Sequence, residues 1–163
     1  MNAEGQGIFV RKTIDVDAPL AHVFGVFAND IDAWWPRAHH IGPCEAFEAI
    51  LEPRVGGRWY ERGDDGSECP WGRVLAYEPP HRLLLAWDIG ADFRPDASIG
   101  SEVEVTFVAL SAKRTRVTLT HRHLERYGDK AEAMRAMFDS ENAWAQTLAG
   151  FRDAVARVPA AGS

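Results

Sequence analysis

Residues 101–121 read Ser-Glu-Val-Glu-Val-Thr-Phe-Val-Ala-Leu-Ser-Ala-Lys-Arg-Thr-Arg-Val-Thr-Leu-Thr-His, two alternating apolar and polar runs joined by a polar turn. Strict alternation marks a half-buried strand, because successive side chains point to opposite faces of a sheet. Val103, Val105 and Phe107 form one apolar set, and Val117, Leu119 and His121 form the other. Glu102, Glu104, Thr106, Arg116, Thr118 and Thr120 face away. A hairpin puts both apolar sets on one face only if its register preserves that parity. His121 then points inward at the end of its strand.

Upstream the pattern continues. Strands are expected at about 45–51, 57–62, 71–78 and 82–88, punctuated by Gly56-Gly57, Gly63-Asp64-Asp65-Gly66 and Pro79-Pro80. Ile8, Val10, Ile14 and Val16 make a first strand, and Asp17-Ala18-Pro19 starts a helix whose inner face is Leu20, Val23, Phe24 and Phe27. A short second helix, capped by Asn29 or Asp30, carries Trp34 and Trp35 and stops at Pro36. Residues 122–140 form a connector with a short helix around Ala131–Phe138. Asp139 or Ser140 then caps a long helix to about Arg157, with Trp144, Leu148, Phe151 and Val155 on one apolar stripe. The class is therefore α+β: an antiparallel sheet of about seven strands curled around a long C-terminal helix, with two short helices after the first strand. One domain spans 8–157, and 1–7 and 158–163 are loose tails. A sheet wrapped around one helix leaves room for a cavity.

The chain's 163 residues fit one domain with a sizeable core. The formal net charge of -6 is spread out, and no basic patch with interleaved aromatics marks a nucleic-acid partner. Apolar runs fall short of a membrane span, and the polar segment Met1–Gly7 lacks a signal core, so a cytoplasmic location is expected. Cys44 and Cys69, without a CxxC spacing, are expected as reduced thiols rather than a disulfide.

In an up-and-down meander, alternate strand ends meet at one edge. That topology brings Trp35, His40, Glu61, Trp71, Trp87 and His121 to a single rim, while the opposite edge receives ordinary turn residues. Aromatic faces give apolar contact with little rotamer entropy to lose, and a few polar groups orient a ligand. The expected ligand-binding set is Trp35, His40, Trp59, Glu61, Trp71, Trp87, His121, Trp144 and Leu148, although each tryptophan also has a plain core reading. Under a catalytic alternative, Glu61, His121 and His40 supply acid–base groups, because a carboxylic acid among indoles and an imidazole both titrate usefully. Glu61 is equally readable as part of a solvated hairpin, His121 as a satisfied structural histidine and His40 as a loop cap. A metal alternative pairs His121 and His123 with Glu61, but the spacing supports it poorly, so neither metal nor cofactor is expected. Nucleophile and phosphate-loop motifs are missing from the sequence.

The order of elements resembles the helix-grip fold of the START-like (SRPBCC) superfamily. Trp34-Trp35-Pro36, His40-Ile41-Gly42, the run Glu52-Pro53-Arg54-Val55-Gly56-Gly57-Arg58-Trp59-Tyr60-Glu61, and Trp71-Gly72-Arg73-Val74-Leu75 followed by Glu78-Pro79-Pro80 are similar to its bacterial branch named after the activator of the heat-shock-protein-90 ATPase. The resemblance covers about 8–157. It implies a hydrophobic pocket between sheet and last helix, relatives that bind lipids, hormones or polyketides, and some that are cyclases or hydrolases. The chaperone activator carries a separate N-terminal docking domain, whereas this chain begins at the first strand. The leading expectation is binding of a small apolar or amphipathic molecule. A cyclase, isomerase or hydrolase is the first alternative and a chaperone-associated module the second, with no membrane insertion and a homodimer left open.

Overall fold

The computed structural model describes residues 7–159. Strands β1 (Val10–Val16), β2 (Phe47–Leu51), β3 (Arg58–Gly63), β4 (Glu68–Glu78), β5 (Arg82–Trp87), β6 (Ser101–Ser111) and β7 (Arg114–Arg122) form one sheet in the order β1-β7-β6-β5-β4-β3-β2. Every neighbouring pair is antiparallel. Helices α1 (Leu20–Asn29), α2 (Ala131–Asp139) and α3 (Trp144–Arg157) complete the fold, and α3 lies in the grip of the curled sheet. This is the helix-grip arrangement. Of the expected tails, 1–7 and 158–163, all but Gly7, Val158 and Pro159 lie outside the described residues.

Register decides which side chains face α3. Val103 pairs with His121, Val105 with Leu119 and Phe107 with Val117. The parity expected of this hairpin therefore holds, and all six side chains are buried. Phe27 of α1 meets Phe107 of β6 at 5.7 Å and Phe151 of α3 at 5.2 Å, which ties both helices to the sheet through edge-to-face ring contacts. Gly72 is required on β4. A Cβ there would lie 1.7 Å from the Ala86 carbonyl oxygen and 2.6 Å from Trp59 Nε1, two atoms that bond to each other at 2.7 Å.

Three local expectations need correction. Strand β4 starts at Glu68 rather than Trp71, because a tight turn closes at once: Gly63 N–H donates to the Ser67 carbonyl, and Asp65 Oδ1 accepts from Ser67 N–H at 2.8 Å. Pro70, which has no N–H to give, is accommodated at the β-bulge opposite Tyr60. The short helix expected to carry Trp34 and Trp35 is a single 3₁₀ turn, Ile31–Ala33, and the tryptophans follow it. Neither Asn29 nor Asp30 caps that turn with its side chain. Finally, α3 starts at Trp144 with no side-chain cap. Ser140 Oγ–H instead donates to the Met137 carbonyl at the end of α2, and the Asp139 carboxylate pairs with Lys12 at 2.7 Å, so both expected caps are engaged elsewhere.

Candidate functional site

All six tryptophans form one chain of ring contacts. Trp34 and Trp35 lie 5.9 Å apart, Trp35 and Trp71 4.7 Å, Trp59 and Trp71 5.3 Å, Trp59 and Trp87 5.4 Å, and Trp87 and Trp144 6.4 Å. They arrive from five places in the sequence: the start of β3, the interior of β4, the end of β5, the segment after the 3₁₀ turn and the start of α3.

A cleft of about 330 Å³ opens against the outer side of this cluster. Trp35, Trp87, Trp144 and Phe138 are its apolar walls, and His39, His40, Asn142 and Thr147 are its polar ones. Trp35, Trp87 and Trp144 are each at least nine-tenths buried, so only ring edges or faces meet the opening. Phe93 sits at the mouth, 48% exposed, with a φ of 60° that a non-glycine residue seldom adopts. It caps a turn in the loop between β5 and β6, its N–H donating to the Gly90 carbonyl.

Of the expected site residues, Trp35, His40, Trp87 and Trp144 line this cleft, whereas Trp59, Glu61, Trp71, His121 and Leu148 stand behind it. Glu61 is 2% exposed. Its Oε1 accepts from the Trp71 indole N–H at 3.0 Å and from Ile41 N–H at 2.5 Å. The solvated-hairpin reading of Glu61 is therefore wrong: the β3 strand turns this side chain inward, where two N–H groups compensate its burial.

His121 is fully buried. Trp144 Nε1–H donates to its Nδ1 at 3.1 Å, so Nδ1 is unprotonated and the proton sits on Nε2. Nε2 then donates to Ser101 Oγ at 2.9 Å, and Ser101 passes its own hydrogen to the Trp87 carbonyl at 2.9 Å. Every atom of this relay is satisfied, and it fastens one cleft tryptophan to the main chain of another. Burial pushes the His121 pKa down to about 3, which keeps the ring neutral. The metal alternative fails on geometry. Strand β7 ends at Arg122, and His123 turns into left-handed backbone to face Glu102 and Glu125, away from its buried neighbour two residues back.

The adjacent histidines at the cleft differ in kind. His39 uses both nitrogens: Nε2 donates to the Asn142 carbonyl at 3.0 Å, and Nδ1 meets Thr147 Oγ1 at 3.3 Å. Burial lowers its pKa, opposed by the Asn142 bond. His40 uses one. Its Nδ1 lies 2.9 Å from the Gly42 carbonyl oxygen, and because a carbonyl only accepts, Nδ1 carries the proton. Nε2 is left with its lone pair on a ring that lines the cleft.

Sequence reasoning missed His39, Phe93, Met137, Phe138, Asn142 and Thr147 as cleft residues. Phe93 lies in a stretch with no periodicity. Met137 and Phe138 were legible as helix, but nothing local shows that α2 folds back over the rim. Cys44 and Cys69 are free thiols, and burial pushes Cys69 up to about 11.

Comparison with known proteins follows the same lines. The family model of activator of Hsp90 ATPase homolog 1-like proteins matches residues 17–156. The chain belongs to that family. It is a family of the START/SRPBCC type. Among solved structures, the anthrahydroquino-γ-pyrone synthase Txn09, determined as a complex, is 40% identical with a TM-score of 0.63, covering 89% of this chain and 95% of that one. CalC, a self-sacrificing resistance protein from Micromonospora echinospora, is 27% identical with a TM-score of 0.63, covering 95% and 97%. The Aha1 dimer from Colwellia psychrerythraea, 16% identical with a TM-score of 0.61 over 91% and 96% of the two chains, shares the fold. No curated protein sequence matches this chain. Among the described residues, no helix is long and apolar enough to cross a membrane.

Proposed function

We propose that this protein binds a flat, mostly apolar small molecule in the tryptophan-walled cleft, with a polycyclic aromatic of polyketide type as the favoured class. One observation carries the reading: three tryptophans from distant parts of the chain converge with Phe138 on a single opening that also offers a few polar groups. The volume lies near the lower end of that found for small-molecule sites, which suits two or three fused rings rather than a long lipid. Kinship at 40% identity with a synthase named for a fused anthrahydroquino-pyrone supports the same ligand class.

Fluorescence tests the proposal directly. Titration with anthraquinone is expected to quench tryptophan emission saturably, and a titration with no saturable change rejects the cleft as its site.

A second reading, ring-forming catalysis on such a ligand, draws its support from the synthase relative. Its test is conversion of a linear aromatic polyketide to a cyclised product of equal mass. Chaperone association has only the family's name behind it, and a pull-down that brings no Hsp90 argues against it. Self-association, known from the description of the Colwellia neighbour, is open to sedimentation velocity.

A further inference from the structure

The two cleft histidines are neighbours in sequence and opposites in chemistry. His39 gives its Nε2–H to the Asn142 carbonyl, and its Nδ1 lies 3.3 Å from Thr147 Oγ1, so both ring nitrogens face groups at the start of α3. In His40 the proton is held on Nδ1 by the Gly42 carbonyl, and Nε2 has no protein partner among the described residues. The surrounding backbone holds that tautomer in place. Glu61 Oε1 accepts the Ile41 N–H, which pins the peptide between His40 and Gly42 from the buried side. Gly42 is packed so closely that a Cβ would lie 3.1 Å from Glu61 Oε2 and 3.3 Å from Cys69 Cβ. An imidazole with one nitrogen anchored to main chain and the other bearing a lone pair is an oriented proton acceptor.

We propose that His40 takes a proton from the ligand, so that the cleft selects hydroxylated aromatics whose hydroxyl is acidified by a nearby carbonyl and holds them as oxyanions. This rests on the cleft being the ligand site. The step balances within the pair: the ligand O–H bond breaks, its electron pair stays on oxygen, and the proton bonds to His40 Nε2. The resulting imidazolium keeps Nδ1–H on Gly42 and donates Nε2–H to the oxyanion, a charge-assisted hydrogen bond. The apolar walls formed by Trp35, Trp87 and Phe138 strengthen that ion pair by excluding water. The N-terminus of α3, uncapped by any side chain, meets the same cleft through Asn142, Ala143 and Trp144, and its partial positive charge favours an anion there.

The experiment compares two probes, anthraquinone and 1,2-dihydroxyanthraquinone, whose visible absorption moves to longer wavelength when a hydroxyl ionises. Both are titrated into the full chain and into His40→Phe and His40→Gln, at a pH where the free dihydroxy probe is uncharged. Tryptophan quenching reports occupancy and the absorption band reports ionisation. Wild-type protein is expected to quench with both probes, to red-shift the dihydroxy probe, and to prefer it by about tenfold, about 1.4 kcal/mol. In both variants quenching should persist while the red shift and the preference disappear. Quenching without a red shift in wild type, or an equal red shift in the variants, overturns the role of His40 and leaves the cleft standing as a binding site. Absence of quenching by either probe overturns the cleft reading, and this inference with it.

Discussion

Trp71 and Trp144 belong to one cluster of rings, yet the two are held in place for different ends. Trp71, with Trp59, forms the rear layer: both are essentially unexposed, and their indole N–H groups go to Glu61 and to the Ala86 carbonyl. Trp144, with Trp35 and Trp87, forms the front layer and borders the cleft. Its N–H goes to a buried imidazole, which in turn is bonded to Ser101. The rear layer joins strands to each other, whereas the front layer joins a helix start and a loop to the sheet and keeps a surface for something else. Large buried aromatics therefore have two separable duties here, and removing each should cost different things.

The sharpest division is in stability. Trp71→Ala empties a fully buried site and strips Glu61 of a donor, so a loss of about 3–5 kcal/mol is expected in chemical denaturation. A loss under about 1 kcal/mol would mean that the rear layer is not structural at all. His121→Leu comes next. It leaves the Trp144 N–H without its acceptor and is expected to cost about 1–3 kcal/mol, with a change in Trp144 emission that marks its altered setting.

Acid sharpens the same contrast. His121 has an ordinary value of 6.5 and a folded value near 3. Between those two, the unfolded chain binds a proton on this ring that the folded chain refuses, so stability is fully present above about pH 6.5 and falls as pH drops toward 3. His121→Leu should flatten that part of the stability–pH curve, and an unchanged slope in the variant would assign the acid sensitivity to other groups. The smallest effect on folding is expected from Trp144→Phe. It keeps most of the apolar volume and is expected to cost less than about 2 kcal/mol, while affinity for an aromatic probe drops about tenfold. Equal affinity in that variant would separate Trp144 from the ligand surface.

Much of this was legible in one dimension. Alternation in 101–121 predicts which side chains of β6 and β7 share a face, because a period of two places them without reference to distant contacts, and the observed register keeps that parity. Meander logic also brings Glu61, Trp71, Trp87 and His121 to one rim, since strand direction alternates with each turn. Caps and boundaries were less legible. Asp139 and Ser140 carry the right chemistry for a helix start, but Lys12 and the Met137 carbonyl, which no local pattern reveals, claim them first.

Residue types and their periodicity thus dictated an α+β sheet gripping a helix, with indoles, imidazoles and a carboxylate gathered at one edge, because hydrophobic period and turn chemistry are local properties. Which of those side chains faces the opening was settled only in three dimensions. Glu61 and His121 are turned inward, Glu61 with two donors on Oε1 and His121 with a partner on each nitrogen, and His40 alone among the three expected acid–base groups lines the cleft, its Nε2 without a protein partner among the described residues. The reason is that partners which turn Glu61 and His121 inward come from other segments, Ile41 lying 20 residues from Glu61 and Ser101 20 residues from His121. A linear pattern carries no information about which donor reaches which acceptor first.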